Sequence, residues 1–360
     1  MLLTDFQILR PRFELSQKET LDWIVDAHVK AEGDESMRPA LTEKLWRVGC
    51  KPEHIAKRGT VFNDFSHRDW DNMEIYRLSR CPSGRDLSVR SKKFQLEAEG
   101  VFEHFFPEGA APPEGLIQVS CTGYVSPSGA QTIVSKRNWG ALTTVTQVHH
   151  MGCYAAIPAI RIGMGGLKNR TDIVHTEICS LHSNPSNHAT DQLVTQSLFA
   201  DGFIKYSVVR RCEAPHLRVV ETREEIIPHS TQAMTWNVGA SGFEMTLAKE
   251  LPVLITRNLK GYLSRLCPEG ISPNTLFAIH PGGPKILTYI QELLGLTDAQ
   301  MTFSFQILKE YGNMSSATLP HVWARILDDA NIPSGTPILS LAFGPGLTIA
   351  GSLMEKICGN

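Results

Sequence analysis

The chain has 360 residues, of which 42% are hydrophobic and 20% charged. Lysine and arginine total 35 and aspartate and glutamate total 37, so the formal net charge is −2. This composition is typical of a globular protein with a large buried core, and it lacks the basic excess of a nucleic-acid-binding protein. No run reaches the roughly 18 apolar residues of a membrane helix, and no cleavable signal is evident. We therefore expect a soluble cytoplasmic protein with no membrane insertion.

The eight cysteines are scattered along the chain and form no C-x-x-C pair. Closely spaced pairs would be needed for a structural zinc site, and a dense disulfide framework is typical of small secreted domains. We therefore expect free thiols and no metal site, with room for one reactive cysteine.

The first half begins with a helix signal and continues with alternating strands and helices. Ser16 and Glu19 form a capping-box pattern ahead of an apolar run. The apolar patterns further on predict strands over 115–121, 172–178 and 204–209 and a helix over 191–200.

The second half repeats this style after a polar stretch. Residues 213–231 contain Pro215 and Pro228 and are predicted to be a connection between two halves. The patterns that follow predict helices over 247–266 and 285–294 and strands over 275–280 and 337–343. Two similar stretches of strands and helices indicate an α/β fold built twice, with units at 1–212 and 213–360.

Three reactive side chains stand near predicted strand ends, where α/β proteins place ligands. Cys153 precedes an apolar helix-like run, and a helix N-terminus favours the thiolate; a buried structural cysteine is the alternative. His280 begins the turn His-Pro-Gly-Gly-Pro, and Asn313 lies in Tyr-Gly-Asn-Met-Ser-Ser. Ordinary turn or helix-cap roles are the alternatives for these two residues.

Together the three side chains permit one concrete reaction. A thiolate can take an acyl group from a thioester, while N–H groups of histidine and asparagine can donate to a thioester carbonyl oxygen. If the thioester is malonyl, the same two donors stabilise the enolate that forms as carbon dioxide leaves. The resulting carbanion can attack the acyl group on Cys153, and no metal or redox cofactor is required.

Five motifs in order along the chain resemble the chalcone synthase-like type III polyketide synthases. They are Gly152-Cys153, Leu198–Gly202, His280–Pro284, Tyr311–Ser316 and Phe343–Thr348. The likeness covers nearly the whole chain and is weakest over residues 1–110. The segments at 121–124 and 177–181 look more like bacterial members of the family than plant members.

This resemblance implies a thiolase-like fold of two similar halves, layered αβαβα, in a homodimer. It implies an acyltransferase that uses acyl-CoA and malonyl-CoA and needs no cofactor beyond these thioesters. Cys153, on the first half, would be the nucleophile. His280 and Asn313, on the second half, would be its partner and the decarboxylation site.

The resemblance also implies a set of binding residues. Phe199 would be the aromatic gate between the coenzyme A tunnel and the cavity. Positions near the cavity lining would be Thr122, Cys179, His182, Met245 and Ser315, with Gly344, Pro345 and Gly346 as the cyclisation-cavity loop. Lys57 and Arg58 would contact coenzyme A phosphates, although a solvated surface pair is an equal alternative.

Departures from the family pattern keep two other functions open. Pro158 stands where the helix after the nucleophile would run, so that helix either begins later or is distorted. Ala342 also replaces a family glycine. The alternatives are a ketoacyl-ACP synthase III-like enzyme that makes a single extension, and a catalytically weak acyl-CoA-binding protein. Glu177 is expected to be a hydrogen-bonded core residue rather than a catalytic acid or base.

Overall fold

The structure, a computed structural model, describes residues 1–166 and 168–359. The strands are β1 (Leu2–Leu9), β2 (Phe13–Ser16), β3 (Lys57–Thr60), β4 (Gly115–Ser120), β5 (Thr144–His149), β6 (Arg170–Glu177), β7 (Gly202–Val209), β8 (His216–Ile226), β9 (Met234–Gly239), β10 (Gly242–Leu247), β11 (Leu276–Ile279), β12 (Pro337–Gly344) and β13 (Thr348–Ile357). The α-helices are α1 (Gln17–Glu32), α2 (Arg38–Val48), α3 (Leu87–Phe105), α4 (Gly129–Lys136), α5 (Ala156–Gly165), α6 (Thr190–Leu198), α7 (Leu251–Leu266), α8 (Pro284–Leu294), α9 (Asp298–Tyr311) and α10 (Thr318–Asp328).

Nine strands form one mixed sheet in the order β11-β12-β13-β8-β1-β7-β6-β4-β5. Its strands from before residue 212 lie on one side and its later strands on the other. The two sides meet where β1 pairs antiparallel with β8, through Leu2 opposite Arg218 and Leu3 opposite Leu217. The division at 212/213 is compatible with this arrangement and stays a prediction.

Helices α5 and α10 form a middle layer between the two groups of strands. Helix α5 contacts β4, β6 and β7 on one side and β8 and β13 on the other, and Ile157 and Trp323 of the two helices share one core. Helices α3 and α4 cover the outer face of the first group, and α7 covers that of the second. The α/β prediction with αβαβα layering is confirmed.

The sequence signals located most elements of the core. Ser16 caps α1 with the reciprocal Glu19 contact of a capping box. The strands predicted over 115–121, 172–178 and 204–209 correspond to β4, β6 and β7.

Two predictions are wrong. Residues 213–231 are not a polar connection, because β8 occupies 216–226 and pairs with β13 along its length. Most of its charged side chains are exposed or half-buried, and Arg218 pairs with Glu355. The many charges hid the strand pattern in which the buried Leu217 and Val219 flank the exposed Arg218. The helix predicted over 247–266 begins only at Leu251, because Leu247 ends β10.

Each of the eight cysteines is a free thiol, as expected. Within the described residues, no helix combines the length and the apolar character that a membrane crossing requires.

The buried histidines make the fold sensitive to acid. Burial lowers the pKa of His175 and His182 to about 3 and that of His321 to about 4. Below the unfolded value of about 6.5 the unfolded chain binds protons that the folded chain does not, so stability is lost as the pH falls. Each of the three should cost about 2 kcal/mol at pH 5. We expect the free energy of unfolding in urea to fall steeply between pH 7.5 and pH 5; equal values would contradict this account.

Candidate active site

Cys153 lies in the turn between β5 and α5. The helix begins at Ala156, so Pro158 is its third residue, in the first turn, where backbone N–H groups have no partner within the helix. The proline therefore requires no distortion, and the helix begins later than the cysteine. Gly152 has φ +83°, and a Cβ there would lie 2.4 Å from Cδ of Pro345. The Gly344–Gly346 loop thus packs directly behind the cysteine turn.

The backbone of Asn313 is hydrogen-bonded to the segment around the proposed gate Phe199, residues 198–202, called the gate segment below. Its N–H donates to the carbonyl oxygen of Leu198 at 3.0 Å, and its own carbonyl accepts from Ala200 N–H at 2.9 Å. The side-chain Oδ1 accepts from Ser315 N–H at 2.9 Å, which leaves the amide N–H groups for other partners. A hydrogen-bonding contribution from this side chain lowers the pKa of Cys153, so the structure places Asn313 close to Cys153.

His280 follows β11, and its backbone N–H donates to the carbonyl oxygen of Leu341 at 2.7 Å. Its imidazole is 2% exposed, and neither ring nitrogen has a hydrogen-bond partner among the described residues. The turn that follows reaches the gate segment, because a Cβ on Gly283 would lie 3.5 Å from Leu198. The described residues show no hydrogen bond between His280 and Cys153.

A cavity extends from Cys153; its interior volume is about 70 Å³, and about 840 Å³ when the space that opens to solvent is counted. Eight predicted residues line it: Arg58, Thr122, Cys153, Cys179, His182, Phe199, Met245 and Ser315. The other predicted residues are not among the lining residues: Lys57, His280, Asn313, Gly344, Pro345 and Gly346. Ser315 has its hydroxyl 4.0 Å from the Cys153 sulfur.

The β9–β10 hairpin supplies two aromatic lining residues, Trp236 and Phe243, that the sequence reasoning missed. Alternating apolar residues around a glycine-containing turn are a hairpin signal that could have located them. His182 holds the hairpin in place: its Nε2–H donates to the carbonyl oxygen of Thr122 at 2.6 Å and its Nδ1 accepts from Phe243 N–H at 3.0 Å. The imidazole also stacks on Phe243, with ring centroids 4.3 Å apart.

Lys57 and Arg58 lie on β3 in different environments. The Lys57 side chain is 43% exposed, and its ammonium pairs with Glu14 at 2.5 Å. Arg58 is 5% exposed, and its Nη1 donates to the carbonyl oxygens of Gln196 and Phe199, each at 2.7 Å. A contact with a solvent-exposed phosphate stays a prediction for Lys57, whereas Arg58 is part of the cavity wall.

Comparison with known proteins adds to this geometry. Residues 218–358 match the family described as chalcone and stilbene synthases, C-terminal domain. A 1,3,6,8-tetrahydroxynaphthalene synthase of Streptomyces coelicolor is 29% identical over 357 residues, which cover 95% of this chain and 89% of that protein. The chain is a relative of the type III polyketide synthases.

Further comparisons agree with this relationship. Probable polyketide synthase 1 of Dictyostelium discoideum is 28% identical over 257 residues, which are 67% of this chain but only 8% of that longer protein. The C-terminal type III polyketide synthase domain of Steely1, from Dictyostelium, superposes with a TM-score of 0.83 at 22% identity and with 99% of both chains covered. The resemblance predicted from the motifs and the thiolase-like fold are both confirmed.

The electrostatics of this polyketide synthase relative keep the nucleophile candidate protonated at rest. Burial, together with the nearby Glu177, raises the pKa of Cys153 to about 12, and the hydrogen bonds from Ser315 and Asn313 oppose that rise. Burial also raises the pKa of Glu177 to about 7. Glu177 accepts hydrogen bonds from Cys121 N–H, the Thr122 hydroxyl and Ser316, which is the core role expected for it.

A neutral histidine complements a protonated thiol. Burial lowers the pKa of His280 to about 3, so its imidazole is uncharged at neutral pH and has an N–H to donate. Reaction of the thiol with a thioester needs a proton acceptor, and the burial that keeps His280 neutral also lowers its basicity.

Proposed function

We propose that the protein is a type III polyketide synthase, an acyltransferase that builds carbon–carbon bonds from coenzyme A thioesters. An acyl-CoA starter loads Cys153, and malonyl-CoA extends the chain by repeated decarboxylative condensation. Cyclisation then gives a pyrone or a resorcinol.

In the loading step the Cys153 thiol gives its proton to His280 and the sulfur attacks the thioester carbonyl carbon. The bond from that carbon to the coenzyme A sulfur breaks, and coenzyme A leaves with the proton. The thioester on Cys153 then stands at the wall of the cavity, with the Ser315 hydroxyl and the Asn313 amide close to the sulfur.

In the extension step malonyl-CoA loses carbon dioxide, and the electron pair of the broken carbon–carbon bond forms an enolate. N–H groups of neutral His280 and of Asn313 donate to the thioester oxygen on which the charge develops. The enolate carbon attacks the acyl carbon on Cys153, and the Cys153 sulfur leaves. The extended chain, now a coenzyme A thioester, is transferred back to Cys153 for another round. One donor of this kind typically contributes about 3 to 4 kcal/mol to transition-state stabilisation.

The observation that carries the proposal is the position of Cys153. Its thiol lies at the wall of a cavity that opens to solvent, next to Ser315 and close to the Asn313 side chain. Phe199, the proposed gate, lines the same cavity and pairs with Asn313 through a β-bridge.

The test is product analysis by mass spectrometry after incubation with an acyl-CoA and malonyl-CoA. Products of two or more extensions released without a carrier protein would support the proposal. A single extension that depends on an acyl carrier protein would favour a ketoacyl-ACP synthase III-like enzyme. Binding of acyl-CoA without any product would favour the acyl-CoA-binding alternative.

The finer assignments belong to the same proposal. Lys57, whose side chain is partly exposed, is proposed to contact the coenzyme A phosphates, and the enzyme is proposed to act as a cytoplasmic homodimer. The units 1–212 and 213–360 are proposed as its two halves, the first carrying Cys153 and the second carrying His280 and Asn313.

The aromatic hairpin sets the length of the starter in this account. We expect Trp236→Ala to open the cavity and to raise the kcat/KM ratio of hexanoyl-CoA to acetyl-CoA about tenfold, because a pocket that gains space for methylene groups binds them at about 1 to 3 kcal/mol each. Asn237→Ala is the matched control, since Asn237 is on the same strand, exposed and outside the lining. An unchanged ratio in Trp236→Ala would contradict the assignment.

A further inference from the structure

We propose that Arg58 is a positioning residue that holds the gate Phe199 and the oxygen-binding Asn313 in register with each other. The inference rests on the proposed function and adds a residue role to it. It starts from the buried position of Arg58 and from the two backbone segments that the side chain touches.

The guanidinium group of Arg58 caps the C-terminus of helix α6. Its Nη1 donates to the carbonyl oxygens of Gln196, in the last turn, and Phe199, the first residue after the helix, each at 2.7 Å. Carbonyl groups at a helix C-terminus lack partners within the helix, and a cation there also interacts favourably with the helix dipole. Arg58 therefore fixes the backbone at the gate residue itself.

The stem of the same side chain packs against the loop that carries Asn313. A Cβ at Gly312, which has φ +74°, would lie 3.1 Å from Cγ of Arg58 and 3.1 Å from the carbonyl oxygen of Leu198. Only glycine fits this close approach in that conformation. Two backbone hydrogen bonds join Asn313 to the gate segment, and Arg58 contacts both sides of this pairing.

Burial of the Arg58 guanidinium costs folding free energy. Its Nε and Nη2 are buried and have no hydrogen-bond partner among the described residues. The nearby Asp201 does not compensate, since its carboxylate accepts from Val61 N–H, Ser180 N–H and the Ser180 hydroxyl. Burying a cation whose N–H donors have no partner lowers the stability of the fold. A role in positioning the site explains why an arginine occupies this buried position.

The test separates two half-reactions. Acylation of Cys153 by acyl-CoA depends chiefly on the thiol and its base, whereas decarboxylation of malonyl-CoA depends on the Asn313 amide as a donor to the thioester oxygen. We expect Arg58→Met to lower decarboxylation at least thirtyfold while acylation stays within threefold of wild type. Arg58→Lys, which keeps the charge, should recover decarboxylation to within about fivefold.

Lys356→Met is the matched control. Lys356 is a second buried cation beside a helix C-terminus, where it donates to the carbonyl oxygens of Ile326 and Asp329, and it does not line the cavity. Its loss should leave the ratio of the two half-reactions unchanged. If Arg58→Met also leaves that ratio unchanged, or lowers both half-reactions equally, the positioning role is wrong.

Hydrogen exchange gives a readout that does not depend on activity. The amides of Ala200 and Asn313 form the pairing between the two segments, and we expect Arg58→Lys to speed their exchange at least threefold relative to Met354 in β13. Equal protection in Arg58→Lys and wild type would overturn the inference even if Arg58→Met does not fold. If wild type itself neither acylates Cys153 nor decarboxylates malonyl-CoA, the proposed function fails, and the exchange result still decides the role of Arg58.

Discussion

Replacing Cys153 with alanine is expected to abolish polyketide formation, with a loss of about 10⁴-fold or more, because the acyl chain is then no longer held on the enzyme when the enolate attacks. Cys153→Ser should restore little, since a serine hydroxyl is a weak nucleophile unless a base activates it. Both are measured as product formed from acyl-CoA and malonyl-CoA, by mass spectrometry.

Cys267→Ala is the control for this series. Cys267 is also a buried free thiol, but it lies after α7 and outside the cavity lining. Its replacement should leave the rate within about twofold of wild type. Product formation that persists in Cys153→Ala would show that the thiol is not the acyl carrier.

The second large effect concerns His280. We expect His280→Ala to slow malonyl-CoA decarboxylation about 10² to 10³-fold, the usual cost of one lost oxyanion donor, and Asn313→Ala to act in the same range. His321→Asn is the control, since His321 is buried and bonded to the carbonyl oxygen of Ala317 outside the cavity lining. It should change decarboxylation by less than about threefold.

Loss of His280 should also change how the thiol responds to pH. Without the base, alkylation of Cys153 by iodoacetamide at pH 7 should fall at least tenfold, because the thiol, whose pKa burial raises, then lacks its proposed proton acceptor. The thiolate fraction then grows as the pH rises, so the difference from wild type should narrow toward pH 10. A difference that is constant across this range, or absent at pH 7, would exclude His280 as the base.

The sequence was informative wherever a short motif fixed both the chemistry and the local backbone. Gly152 admits no side chain against Pro345, and the turns after β11 and α9 carry His280 and Asn313. Few residue types fit such positions, so the residue found there predicts the local backbone conformation. The cap at Ser16 was predictable for the same reason, because its hydrogen bonds involve residues three positions apart.

What the sequence hid depends on contacts between distant segments. Strand β8 reads as polar because much of it is partly exposed, and only its pairing with β13 and β1 gives it a place in the sheet. Arg58 looks like half of a surface pair with Lys57, yet alternate residues of a strand face opposite sides, and its side is buried against α6. Trp236 reaches the cavity because distant segments hold the hairpin there, through His182 and through the carbonyl oxygen of Cys121.

The most direct test of the central claim is to locate the acyl group. Wild-type enzyme is incubated with acyl-CoA alone, digested and examined by peptide mass spectrometry. Because Cys121 and Cys179 line the same cavity as Cys153, the modified residue must be assigned from fragment ions. We predict one acyl group per chain, on Cys153; an adduct on another residue with Cys153 unmodified, or no adduct at all, would contradict the mechanism.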